Sequence, residues 1–365
     1  MKHRERFEKT ISHKEADRPP FDFCGTPQTG CYSEVIEGLS KHYSISADNE
    51  AEAAEKLQEI FDTDFRRVGT LFEPPSDYLD NTKVSQGLMT DSWGITKKFQ
   101  GLYWDNISFP FKDKDLDELK QYRWPSAKDI DRKQIEEITE AAKRYYNDTD
   151  YVVVAEHPVY GYFELGCWMF GFDDFLYRML AEPEITEWFF ESYHKYVADV
   201  LELYYGAIGD YIHVTTSGDD FGTQNAPFIS PELFAEQIKP WYKKRIDLTK
   251  QMTKAKYFHH TCGSVFRLLP DIIDMGVDIL NPIQPGVLEM EPERLKENFG
   301  DKITFWGGID EQGLLSSSTP EIITSETRRV NGILGKNGGW VLAPSHNIQP
   351  DVPPENVIAM YNALK

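Results

Sequence analysis

The sequence predicts an α/β protein, a (β/α)8 barrel of the TIM type with a small β-rich insertion after its second strand. Three observations lead there. Eight short β-branched or aromatic runs alternate with helical patterns. The 365 residues exceed a typical domain but suit a barrel with its outer helices, so 1–365 reads as one domain. Residues able to do chemistry gather where the runs end, and the C-terminal strand ends are where such barrels work. A doubly wound open sheet is the alternative that the same alternation allows.

The runs come in order. "PPFDF" (19–23) follows a charged N-terminal stretch, and "DFRRVG" (64–69) follows the Ala-, Glu- and Leu-rich "DNEAEAAEKLQEIF". Then "VSQGLMTDSWGITKKFQGLYWDNISFPF" (84–111) breaks the pattern, with period-two alternation and glycine turns. It reads as an inserted hairpin or meander placed to cover the barrel mouth. "YVVVAEH" (151–157) and "DYIHVTT" (210–216) flank a long amphipathic helix. The next helix opens at Ser230, a capping residue, with Pro231 at its first position. "KYFHH" (256–260), "VDILNP" (277–282), "ITFWGG" (303–308) and "GWVLAP" (339–344) complete the eight.

Composition narrows the function. A net charge of −21 repels phosphates, which argues against nucleic acid and against anionic membranes. The N-terminus lacks the apolar core of a signal peptide, and no apolar stretch nears the roughly 18 residues of a spanning helix. Four scattered cysteines make no disulfide framework, so a cytoplasmic setting is expected. No G-x-G-x-x-G and no P-loop lysine is present, so nucleotide chemistry has no support.

The strand ends carry the candidates. His260 and Cys262 lie two apart, on one side of an extended chain, and Gly263 follows. As an isolated pair they read more readily as packed core. At a strand end, with His346 after the last strand, they make a zinc set: one thiolate, two imidazoles and one open position. His259 points the opposite way, toward a helix. Glu156, Asp220 and Asp310 are the candidate proton-handling residues, although Asp310 also suits a helix cap. Asp219, Gln224, Asn281, Gln284 and Asn347 are the candidate substrate contacts. Cys24, Cys31 and Cys167 read as packing.

Taken together, "RERFEKTISHKEADRPPFDF", "SGDDFGTQNAPFISPELF", "HHTCG", "WGGIDEQGLL" and "GGWVLAPSHNIQPDVPPENVIAMYNA" resemble the uroporphyrinogen decarboxylase superfamily along nearly the whole chain. The resemblance implies one of two chemistries. Its decarboxylases hold tetrapyrrole carboxylates with arginines after the first strand, where this chain has "FCGTPQTGCYSEV" and no arginine. Its zinc methyltransferases share the H-x-C pair, matched by His260 and Cys262, and "TDSWG" (90–94). Their third ligand is a cysteine where this chain has His346, a histidine that the decarboxylase branch also carries. The resemblance to that branch implies methyl transfer between a small donor or acceptor and a corrinoid carried by a partner protein, by a monomer or homodimer. The alternatives are a metal-free lyase on a smaller acid, using Asp220 and His346, and a non-catalytic binding barrel.

Overall fold

The computed structural model describes residues 1–101 and 103–365; Leu102, inside the expected insertion, lies outside the described residues. Seven parallel strands form one sheet: β1 (Phe65–Val68), β5 (Val152–Ala155), β6 (Val214–Gly218), β7 (Lys256–His260), β8 (Ile279–Asn281), β9 (Thr304–Trp306) and β10 (Trp340–Val341), neighbours in that order. The expected first strand is reduced to a bridge. Phe21 pairs in parallel with Leu342. The Asp22 amide donates to Leu342, the Leu342 amide to Pro20 and the Asp64 amide to Phe21. This segment therefore bonds both free edges and closes the sheet into a barrel. It stays short because Pro19 and Pro20 have no N–H to extend a ladder.

Period two decides which side chains enter the barrel. Phe65, Val152, Val154, Val214, Phe258, Ile279, Trp306 and Val341 form one buried interior cluster. Phe7, from the N-terminal helix (His3–Ile11), joins it and plugs the lower end. The opposite faces of the same strands, Val153 and Leu280 among them, belong to the larger cluster under the helices. Beneath the plug, the fully buried Asp64 carboxylate is surrounded by donors. His3 Nδ1 and Arg18 Nη1 each lie 2.8 Å away, the Phe21 amide 2.7 Å, and the Arg6 guanidinium is closer still.

The insertion is an antiparallel meander of β2 (Leu88–Thr90), β3 (Thr96–Phe99) and β4 (Trp104–Ser108), with a register shift at Thr96/Lys97. Its tight turn is held by Asp91, whose Oδ1 accepts from the Trp93 and Ile95 amides at 3.0 Å each. Lys97 Nζ balances that buried carboxylate at 2.9 Å. The turn delivers Trp93 into a nest of Trp124, Tyr160, Tyr193 and Tyr196, which pins the meander to the barrel's helices. From the meander, Tyr103 donates to Gln349 after β10 at 3.1 Å, so the insertion reaches the strand-end face as expected. The Ser230 cap also forms, accepting from the Leu233 amide at 3.2 Å. No helix among the described residues is long and apolar enough to cross a membrane.

Candidate metal centre

His260 stands two residues above Phe258 on β7, so its ring enters the barrel axis over the apolar plug. His259 turns outward as expected, stacked on Phe221 and bonded to Ser217 Oγ at 2.8 Å. After His260 the chain must bend to bring Cys262 back over the mouth. Gly263 does this at φ +83°, and Gly222 packs so close that a Cβ there would sit 2.7 Å from the Cys262 carbonyl. His346 arrives from beyond β10. One ligand atom from each of His260, Cys262 and His346 then lies within 4.8 Å of the others, and Cys262 Sγ is 3.3 Å from His260 Nε2. Bonds of about 2.0–2.3 Å in a tetrahedral zinc site space its ligand atoms about 3.3–3.6 Å apart, so a small contraction suffices.

The imidazole is aimed by a partner beneath it. His260 Nδ1 lies 2.6 Å from Asn281 Oδ1, and Asn281 Nδ2 donates to the Trp306 carbonyl at 3.0 Å. The amide is thereby fixed with its oxygen toward His260. Nδ1 must carry the proton, which leaves the Nε2 lone pair facing Cys262. Burial, with His260 nearby, lowers the His346 pKa to about 4, so the His346 ring is neutral at pH 7. Burial and Asp220 push the Cys262 thiol up. A bound dication would reverse that and favour thiolate. The donor set fits zinc.

The acids divide into those at the centre and those occupied elsewhere. Asp220 Oδ1 lies 3.7 Å from His260 Nε2 and accepts the Cys262 amide at 2.8 Å. Asp219, expected as a substrate contact, is fully buried. It accepts from the Phe163 and Glu164 amides and from Tyr242, and so caps the helix Tyr162–Phe170. Asp310 accepts from the amides of Gln312, Gly313 and Leu314 and is a cap as well. Glu156 faces Arg67 at 3.6 Å. Asn281 is fully buried with both amide ends engaged, so it supports His260 in place of touching substrate. Gln284 accepts the Gly263 amide and Asn347 the Gly30 amide, each at 2.7 Å; both hold loops of the mouth. Gln224 is exposed.

Three residues escaped the sequence reading. Glu164 lies in the aromatic run "GYFELGCWMF", where a lone acid is the signal. Burial, then Asp220 and Asp219, push its carboxyl well up. Glu311, next to the favoured Asp310, is 4% exposed, and its Oε2 is buried without a partner. Burial, with Asp310 and Asp351, raises its pKa to about 7. Arg67 shares the inward face of β1 with Phe65 and opens onto the mouth; period two from Phe65 would have placed it. Beside the centre is a cavity of about 350 Å³, which Glu164, Asp220 and also Cys167 help to line. Cys24 and Cys31 are free thiols 3.8 Å apart, on the loop after the closing segment.

Comparison with known proteins adds three findings. Residues 107–365 match the family model described as uroporphyrinogen decarboxylase (URO-D). A uroporphyrinogen decarboxylase of Methylococcus capsulatus is 33% identical over 69 residues, a stretch that spans 19% of this chain and 19% of that protein. A methyltransferase from Methanosarcina mazei shares the fold with TM-score 0.64 and 16% identity, over 100% of this chain and 98% of its own.

Proposed function

The chain belongs to the uroporphyrinogen decarboxylase family, and from that premise we propose that it is a zinc-dependent methyltransferase working with a corrinoid protein. The methyl group moves between that partner and a small-molecule donor or acceptor. One observation carries this reading: His260, Cys262 and His346 meet at the mouth, and Asn281 leaves the His260 Nε2 lone pair free. Held there with one position open, zinc would supply Lewis acidity toward a heteroatom of the small substrate.

The chain's own residues do the rest. Asn281 fixes the His260 tautomer, as a second-layer partner does in metal sites. Asp220 holds the Cys262 amide and stands within reach of protons at the centre, with Glu311 beyond it in the role expected of Asp310. One thiolate and two imidazoles give a zinc site a single net positive charge, which favours demethylating an ether or amine over methylating a thiol.

Decarboxylation of a tetrapyrrole has less support. The loop after the closing segment has no arginine, and Arg18, the nearest cation before it, is committed to Asp62 and Asp64 at the far end of the barrel. Arg67 at the mouth favours a second reading, a lyase acting on a smaller carboxylic acid. Two measurements separate the readings. Protein purified without chelator is expected to hold stoichiometric zinc that Cys262→Ser loses, and to pass a methyl group to cob(I)alamin. Zinc-free wild type that releases CO2 from a small acid would overturn the methyltransferase.

A further inference from the structure

The cavity beside the centre has an unusual lining. Phe109, Phe163, Trp168, Phe172 and Phe228 form its walls. Phe172 and Phe228 meet edge to face at 4.9 Å, and Phe163 lies 6.1 Å from Phe228, so three rings build one corner. Into this apolar space come two carboxyls, Glu164 and Asp220, and no lysine or arginine among the described residues lines it. Asp220 belongs also to the centre, 3.7 Å from His260 Nε2. Whatever occupies the cavity therefore lies next to the ligand set.

We propose that this cavity binds a methylated ammonium cation. An anion would meet the Asp220 carboxylate and find no cationic side chain among the described lining residues. A neutral apolar occupant would take water from them and give nothing in return. A simple ammonium is strongly hydrated and gains little from aromatic walls. A methylated ammonium is bulky and weakly hydrated; it presents positive charge to the ring faces and lets the two acids serve as counter-charges. Calling this cation the methyl donor rests on the methyl-transfer reading above. A quaternary nitrogen has no lone pair to offer a metal, so for a quaternary donor the step balances without a proton and draws nothing from Lewis acidity at nitrogen. The C–N bond breaks with its electron pair staying on nitrogen, the amine leaves neutral, and the methyl carbon bonds to the partner's cobalt(I), which supplies both electrons.

The test is binding to the full chain of choline against its neutral isostere 3,3-dimethylbutan-1-ol, by calorimetry or ligand-observed NMR. Choline is expected to bind about tenfold or more tightly. Glu164→Gln should erase most of that preference, and Phe228→Leu should weaken choline more than the alcohol. Equal binding of the two probes, binding of neither, or a preference that survives both substitutions overturns the cation site. Zinc content and methyl transfer to cob(I)alamin are read on the same wild-type protein. A choline preference without zinc or transfer removes the methyltransferase and leaves the cation site. Transfer from a neutral ether without a choline preference does the reverse.

Discussion

The two ends of the barrel solve opposite problems with the same residue types. At the lower end, Asp64 is fully buried and every donor around it is satisfied by design of the chain: Arg6, Arg18, His3 and the Phe21 amide. At the mouth, Asp220 and Glu164 share a cavity with no arginine or lysine among its described lining residues, and nearby one Glu311 oxygen is buried without a partner. A buried charge with its counter-charges holds a fold in one arrangement. Partly buried acids without them leave a place for a cation. Stability is thus concentrated below the plug and chemistry above it.

The largest expected effect tests the lower end. Asp64→Ala takes the buried carboxylate from His3, Arg6 and Arg18, leaving Arg6 with Asp17 and Arg18 with Asp62, and should cost about 3 kcal/mol of stability or more, measured by denaturant unfolding, while zinc per folded molecule stays unchanged. Loss of zinc at full stability would break the division between the ends.

pH sharpens it next. Asp22 lies fully buried above the plug, accepting from Trp306 Nε1 and Thr29 Oγ1, and burial raises its pKa to about 6. Its folded value exceeds the ordinary unfolded one, so its contribution is present below about pH 4 and lost as pH rises through 6. Asp64 has the opposite sign. Its pKa is held down against burial by His3, Arg18 and Arg6, so its contribution is present at neutral pH and lost in acid. Asp22→Asn should therefore gain on wild type by up to about 3 kcal/mol between pH 4 and 7. Stability curves that run parallel across that window would contradict the assignment.

Smaller effects separate neighbours at the mouth. Asn281→Ala releases the His260 ring and should weaken zinc about 10–100-fold, read by competition with a chromogenic chelator; an unchanged affinity would mean the amide does not aim the ligand. Smallest is Asp310→Ala, a lost cap worth about 1 kcal/mol. It should leave zinc affinity and methyl transfer alone, whereas Glu311→Gln should alter the pH profile of transfer.

Much of this was legible in the sequence, and the failures have physical causes. Strands buried on both faces, such as "YVVVAEH", announce themselves by composition, and the polar residues at their ends followed from barrel geometry. His260, Cys262 and His346 could be grouped because all parallel strands deliver their ends to one face. What sequence spacing could not supply was occupancy. Asp219 and Asp220 are adjacent and chemically identical, yet one is consumed capping a helix from another part of the chain. The same holds for Asp310 and Glu311. The strand at 19–23 looked like its seven companions, but its two prolines leave it a single bridge.

That bridge has a consequence for the order in which the protein is made. The segment around Phe21 emerges first, yet its partner at Leu342 is translated more than 300 residues later. Until then the growing sheet has two open edges, and the thiol–imidazole pair at the end of β7 waits without His346. The last stitches come together: Leu342 to Pro20 and Asp22, Asn347 to Gly30, Ile348 to Gly30 and Tyr32. His346 is carried in by those same stitches. A chain ending short of residue 340 would therefore have neither a closed cylinder nor all three residues of the proposed metal centre, so zippering the ends and bringing His346 to His260 and Cys262 are one event.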